Sequence, residues 1–223
     1  MKTSVLVAAL LLSASAASLA APGTPGPGDW AAYGQNEGGV RFSTLTQITP
    51  ANVSQLTPAW TYHMNPAHDA APGSTPNSTP QSTKVLPWSE QTPLVVHGVM
   101  YLGVPYGRVV ALDADSGKEL WVYTLPKGNQ PPTRGLAYWP GDSKHDPQIV
   151  FGTTLGGKLI ALHAKTGTPV ASFGDNGIVD LKTPDVMNAI PGAPYDMVAP
   201  PSIYRNLVIL NSRVQEAPVK GAS

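Results

Sequence analysis

From Thr92 onward the chain reads as short apolar runs separated by Gly- and Asp-bearing turns, a rhythm of paired β-strands rather than helices. "TPLVVHGVMYLGV" places two apolar runs around His97-Gly98 and predicts a hairpin. "GRVVALDADSGKELWVYTL" repeats the design, with its turn at Asp115-Ser116-Gly117. "QIVFGTTLGGKLIALHAKTGTPVASF" predicts strand, Gly156-Gly157 turn, strand, Thr166-Gly167 turn, strand. "MVAPPSIYRNLVILNS" offers a further pair around Arg205-Asn206. One charge breaks the pattern: Glu90 stands just ahead of the apolar run Leu94-Val95-Val96. Upstream the texture differs. "ITPANVSQL" predicts a short helix capped by Thr49, with Pro50 at its first position and Val53 and Leu56 on one face. Pro58 to Met64 reads as a strand, and the Pro-, Ser-, Thr- and Asn-rich stretch Asn65 to Lys84 as a long surface loop.

The middle units form a repeat. "ALDADSGKELW" begins at Ala111 and "ALHAKTGTPVA" at Ala161, a period of about 50 residues, within the range of antiparallel propeller blades. In each copy the small Ala permits close packing, and Gly117 or Gly167 supplies the positive φ of the turn. Asp113 can bond the turn backbone and Trp121 can fill the gap between neighbouring blades. The second copy is degenerate, with His163 for the Asp and Ala171 for the Trp. The fold expected is therefore all-β, a propeller with tryptophan-docking blades. At about 40 to 50 residues per blade the chain holds about three to four of them, fewer than most closed propellers. Ending on the polar "APVKGAS" directly after a strand, it is expected to be the N-terminal part of a longer protein.

Composition narrows the function. The 14 basic and 14 acidic side chains cancel, which argues against nucleic acid as the main partner. The 24 Pro and 22 Gly fit many turns and short elements. Residues 1–20 have the form of a secretory signal peptide: Lys2, an apolar run from Val5 to Leu12 too short to span a bilayer, and small residues Ser18 and Ala20 at a cleavage site. Residues 21–28 read as a Pro/Gly leader, and 29–223 as the partial propeller. There is no cysteine, which excludes thiolate zinc sites, Cys nucleophiles and thiol redox chemistry. "DADSGKE" does not make a calcium loop, because Lys118 stands where the loop needs Gly and Thr124 where it needs Glu. His97 reads as a hairpin residue.

"DWAAYGQNEGGVRFSTLTQITPANVSQLTPAWTY" (Asp29 to Tyr62), "EQTPLVVHGVMYL", "ALDADSGKELW", "RGLAYWPGD" and "FGDNGIVDL" occur in an order that resembles the pyrroloquinoline quinone-dependent dehydrogenases. The resemblance implies an eight-bladed propeller with the quinone on its axis. It implies that Arg134 of "RGLAYW" pairs with a quinone carboxylate, a role suited to a guanidinium fork. Glu90 matches a glutamate beside the cofactor, where an acid near an anionic ligand must be protonated or share a cation. Ser212 matches a cofactor-contacting serine, and Gln215 the calcium ligand of alcohol-type members, with Glu216 adjacent. Met197 departs from a threonine in those members.

Alcohol-type members also carry a cysteine pair before this arginine, whereas the stretch here is "GNQPPTRG". That difference and "FGDNGIVDL" favour a glucose- or polyol-oxidising branch. The family's base, an aspartate, would lie beyond Ser223. The expected function is thus a periplasmic oxidoreductase in which a base assists hydride transfer from a sugar, polyol or alcohol to the quinone, calcium polarising the quinone carbonyl. A quinone or cytochrome would take the electrons. The alternatives are a non-enzymatic propeller scaffold of the same repeat type and an inactive truncated product.

Overall fold

The computed structural model describes residues 23–64, 89–154, 156–187 and 195–212. Two four-stranded antiparallel meanders and one hairpin account for its strands. The first meander runs β1 (Leu94–Val96), β2 (Val99–Val104), β3 (Arg108–Asp113) and β4 (Glu119–Thr124). The second runs β5 (Ala137–Trp139), β6 (Gln148–Gly152), β7 (Lys158–His163) and β8 (Ile178–Asp180), and β9 (Ser202–Tyr204) pairs with β10 (Leu207–Ile209). The hairpins fall where the turn residues predict them: Val96 pairs with Val99 across His97-Gly98, and Tyr204 with Leu207 across Arg205-Asn206.

The inner strands of each meander are apolar without alternation because both of their faces are covered. Leu102, Val104, Val110 and Leu112 face Trp60 and Tyr62 on one side of the first sheet. Tyr101, Val109 and Ala111 face Ile149, Phe151, Ile160 and Leu162 of the second sheet on the other. The far side of the second sheet, with Val150, Leu159 and Ala161, is covered by Ile203 and Val208 of the β9–β10 hairpin. The layers are therefore stacked face to face: segment 60–62, first meander, second meander, hairpin. That is the radial packing of propeller blades.

Tryptophans set the spacing of the stack. Trp121 of β4 donates Nε1–H to Ala164 O at 2.9 Å and lays its ring on Gly167. Gly167 sits at φ +70°, and a Cβ there would stand 2.5 Å from the indole, so the position needs glycine for both conformation and space. Trp60 repeats the contact one layer earlier, donating to Ala114 O at 3.1 Å with its ring on Gly117.

Three expectations change. Pro58–Met64 makes no strand ladder; it lies as an extended cover whose Trp60 is the docking tryptophan for the first blade. The predicted helix is a single 3-10 turn, Val53–Gln55, preceded by Asn52 rather than capped by Thr49. The Asn52 side chain accepts from Thr49 N and donates to Gln47 O, holding a local turn in place of a helix, and Val53 and Leu56 are exposed. The strand predicted after Thr166-Gly167 is only an isolated bridge, Leu162 with Pro169. Proline lacks the N–H a ladder needs, so the chain turns away and β7 finds its outer partner in β8. At the start of the described residues Gly23 is buried, donating to Pro140 O and accepting from the Tyr138 hydroxyl. Residues 1–20 and the loop 65–84 lie outside the described residues.

Candidate functional site

Each meander and the hairpin is entered by a lead-in segment, and the three lead-ins lie side by side. Glu90 N donates to Thr133 O at 3.0 Å and Thr92 N to Arg134 O at 3.3 Å. Arg134 N then donates to Val198 O at 3.1 Å, carrying the lateral bonding on to the third lead-in. Stacked blades converge at this end, so residues far apart in sequence arrive together. Gly135 makes the close approach possible: at φ +140°, its added Cβ would stand 3.3 Å from Thr92 O.

The convergence brings two of the expected cofactor residues into contact. Arg134 Nε lies 3.4 Å from Glu90 Oε2, with both side chains more than half exposed. An ion pair so exposed contributes about 0–1 kcal/mol at most, so it does little to hold the fold. It does place a cation directly beside the Glu90 carboxylate. The guanidinium gives only its Nε–H to this contact, and among the described residues its terminal N–H groups have no acceptor, so they can bind a carboxylate.

Arg134 lines a cleft of about 670 Å³ formed by the N-terminal segment, the first residues of β5, the third lead-in at Ala199 to Pro201 and the start of β9. Tyr33 and Arg41 stand in the same cleft, the Arg41 guanidinium 5.4 Å from the Tyr33 ring centroid. Asp29 ties the wall together, accepting from Gly26 N at 2.8 Å and from His97 N at 3.2 Å. Tyr138 forms part of the floor. Burial, with smaller contributions from Tyr101 and Asp29, pushes its phenol above the ordinary range, so it stays a neutral donor to Gly23 O.

The other expected residues are not at this pair. Ser212 is exposed just beyond β10 and does not line the cleft. Gln215, the expected calcium ligand, lies outside the described residues. Met197 is buried against Gly152 and belongs to the core. Among the described residues no group of three or more His, Cys, Asp or Glu side chains could hold a metal. Sequence reasoning passed over Trp60, Arg41, Tyr33 and Gln91. For Trp60 a signal exists: Trp60-Thr61-Tyr62 echoes Trp121-Val122-Tyr123.

Comparison with known proteins agrees with the fold. The PQQ family described as "Glucose/ethanol/alcohol dehydrogenase, beta-propeller domain" matches residues 30–223. The glycerol dehydrogenase large subunit of Gluconobacter oxydans is 31% identical over 201 residues, covering 86% of this chain and 25% of that protein. The quinoprotein glucose dehydrogenase of the same organism is 31% identical over 225 residues, covering 93% of this chain and 26% of its own length. Among solved structures, the quinohemoprotein alcohol dehydrogenase from Comamonas testosteroni superposes with a TM-score of 0.59 at 25% identity, over 86% of this chain and 24% of that one. The chain thus spans about a quarter of the length of the curated relatives it matches.

Proposed function

The chain belongs to the pyrroloquinoline quinone β-propeller family of glucose, ethanol and alcohol dehydrogenases, and from that premise we propose that it contributes the Arg134–Glu90 part of the quinone site in an exported dehydrogenase. The substrate is an alcohol, polyol or sugar, with the glucose type favoured by the absence of cysteine before Arg134. The observation that carries the reading is the meeting of Arg134 and Glu90 on adjacent lead-ins, beside a cleft that Arg134 lines. Arg134 binds a quinone carboxylate through the N–H groups it does not give to Glu90. Glu90 fixes the guanidinium plane and accepts a hydrogen bond from the ligand or from Arg134. When bound, the quinone supplies the two-electron acceptor. Ser212 is proposed as a further contact, and calcium, with Gln215 among its ligands, as the accompanying metal; no step here is routed through it. A quinone or a cytochrome receives the electrons, and residues 1–20 direct the protein to the periplasm.

The test uses the full-length protein. Charge-assisted hydrogen bonds contribute about 1.5–3 kcal/mol, so Arg134→Ala is expected to weaken quinone binding by about 10- to 150-fold in equilibrium dialysis. Arg134→Lys, which keeps the charge and loses the fork, recovers only part of that. Unchanged affinity in Arg134→Ala overturns the assignment. Dye reduction with glucose, glycerol and ethanol then ranks the substrates, and ethanol outrunning the other two rejects the glucose-type preference.

A further inference from the structure

The stretch that delivers Arg134 is anchored residue by residue. Asn129 Oδ1 accepts from Thr153 Oγ1 at 3.1 Å, and Gln130 exchanges backbone bonds with Thr154 while its Oε1 accepts from Gly107 N at 2.8 Å. Pro131 and Pro132 follow. Neither has an N–H, so their carbonyls are the only backbone groups by which the pair can be held. Both carbonyls are taken by side chains, from opposite sides: Thr154 Oγ1 donates to Pro131 O at 2.9 Å, and Gln91 Nε2 donates to Pro132 O. The pyrrolidine rings lock φ, and the direction of each carbonyl reports ψ, so the two bonds fix the remaining soft dihedrals of the segment. Room for this arrangement is left by Gly103 of β2, where an added Cβ would stand 2.8 Å from Pro131 Cβ and 3.0 Å from Gln91 Nε2.

We propose that Gln91 and Thr154 are positioning residues that clamp the Pro131-Pro132 carbonyls and so set where Arg134 presents its guanidinium to Glu90 and to the ligand. The proposal rests on the reading of Arg134 as a carboxylate partner of the quinone, and it is tested by two measurements that separate the two ideas. Gln91→Leu and Thr154→Val remove the donors with little change of shape. Gln91→Leu also removes a buried Oε1 that has no partner among the described residues, which offsets part of the cost of leaving Pro132 O without its donor.

In the quinone-free full-length protein, amide exchange at Thr92 and Arg134 is expected to quicken about three- to tenfold in each variant, the range one neutral hydrogen bond supports. Thr154→Ser, which keeps the hydroxyl, restores protection. Unchanged exchange in both donorless variants overturns the clamp whether or not the quinone binds. In equilibrium dialysis, each substitution is expected to weaken quinone binding by a similar factor and to have no further effect in an Arg134→Ala background. An equal loss in that background also overturns the clamp, because the residues would then act other than through Arg134. If Arg134→Ala alone leaves quinone affinity intact, the quinone reading fails, while exchange still decides the clamp.

Discussion

Adding one methyl group at Gly167 puts a definite load on the contact between the two blades. Residue 167 sits at φ +70°, where a non-glycine residue costs about 1–2 kcal/mol. The new Cβ would also stand 2.5 Å from Trp121 Cδ2 and Cε3, a rigid ring that cannot give way like the end of a flexible chain. Overpacking of this kind costs about 1–3 kcal/mol more. Gly167→Ala is therefore expected to destabilise by about 2–5 kcal/mol in total. On a Trp121→Ala background the ring is gone and only the backbone part remains, about 1–2 kcal/mol. The double-mutant cycle then predicts a coupling of about 1–3 kcal/mol between the two sites. Urea unfolding of the four proteins by far-UV circular dichroism measures it, with equal m-values as the condition for comparing midpoints. If Gly167→Ala costs the same with and without Trp121, to within about 0.5 kcal/mol, the indole does not rest on this turn and the docking account is wrong.

Two further outcomes concern pH. Hydrogen bonds from the Ser116 side chain and backbone hold the Asp113 carboxyl below its usual range, a contribution present at neutral pH and lost as pH falls through the folded value. Ser116→Ala is expected to bring the Asp113 titration back toward the ordinary range, read by carboxyl-carbon NMR, and an unmoved titration rejects the turn's role in setting it. Burial pushes Tyr101 up to about 12, so the folded state keeps a proton that the unfolded chain loses near pH 10. Stability is expected to fall as pH rises from about 10 towards 12, and Tyr101→Phe to flatten part of that fall in unfolding experiments across the window. An identical slope in the variant refutes it.

Where the sequence spoke clearly, a local steric rule was at work. Hairpins at His97-Gly98 and Arg205-Asn206, and the turns ending at Gly117 and Gly167, need particular residues at particular positions, and the alternation around them does the rest. Trp60 reads locally as a strand residue, but its meaning is not local: the carbonyl it bonds is 54 residues further on. The outer strand of the second blade comes later than the apolar run after Gly167 suggests, because Pro169 lacks the N–H that a ladder needs. Glu90 stands out from the sequence as the charge that breaks an apolar pattern, but its pairing with Arg134 has no sequence signal, and the roles of both come only through resemblance. No spacing rule predicts that side chains 44 residues apart will meet, since the meeting depends on how two sheets are stacked.

The antiparallel alternation of each meander places that meeting and the tryptophan contacts at opposite ends of the blade. A strand that starts at a lead-in reaches the opposite rim at its first turn, returns at its second, and arrives there again at the β3–β4 turn. The β2–β3 turn accordingly lies on the lead-in side, with Gly107 N bonded to Gln130 Oε1, whereas the docking turn that receives Trp60 lies at the other end. Neighbouring blades are thus pinned twice, by an indole on a glycine at one rim and by backbone and clamp hydrogen bonds at the other. Two separated points of attachment fix an angle as well as a distance. Loosening the indole contact would let the second blade pivot about the lead-ins, where the backbone bonds still hold, so a change at Trp121 reaches Arg134 as a rotation, while a change at Gln91 or Thr154 reaches it through the Pro131-Pro132 segment just before it.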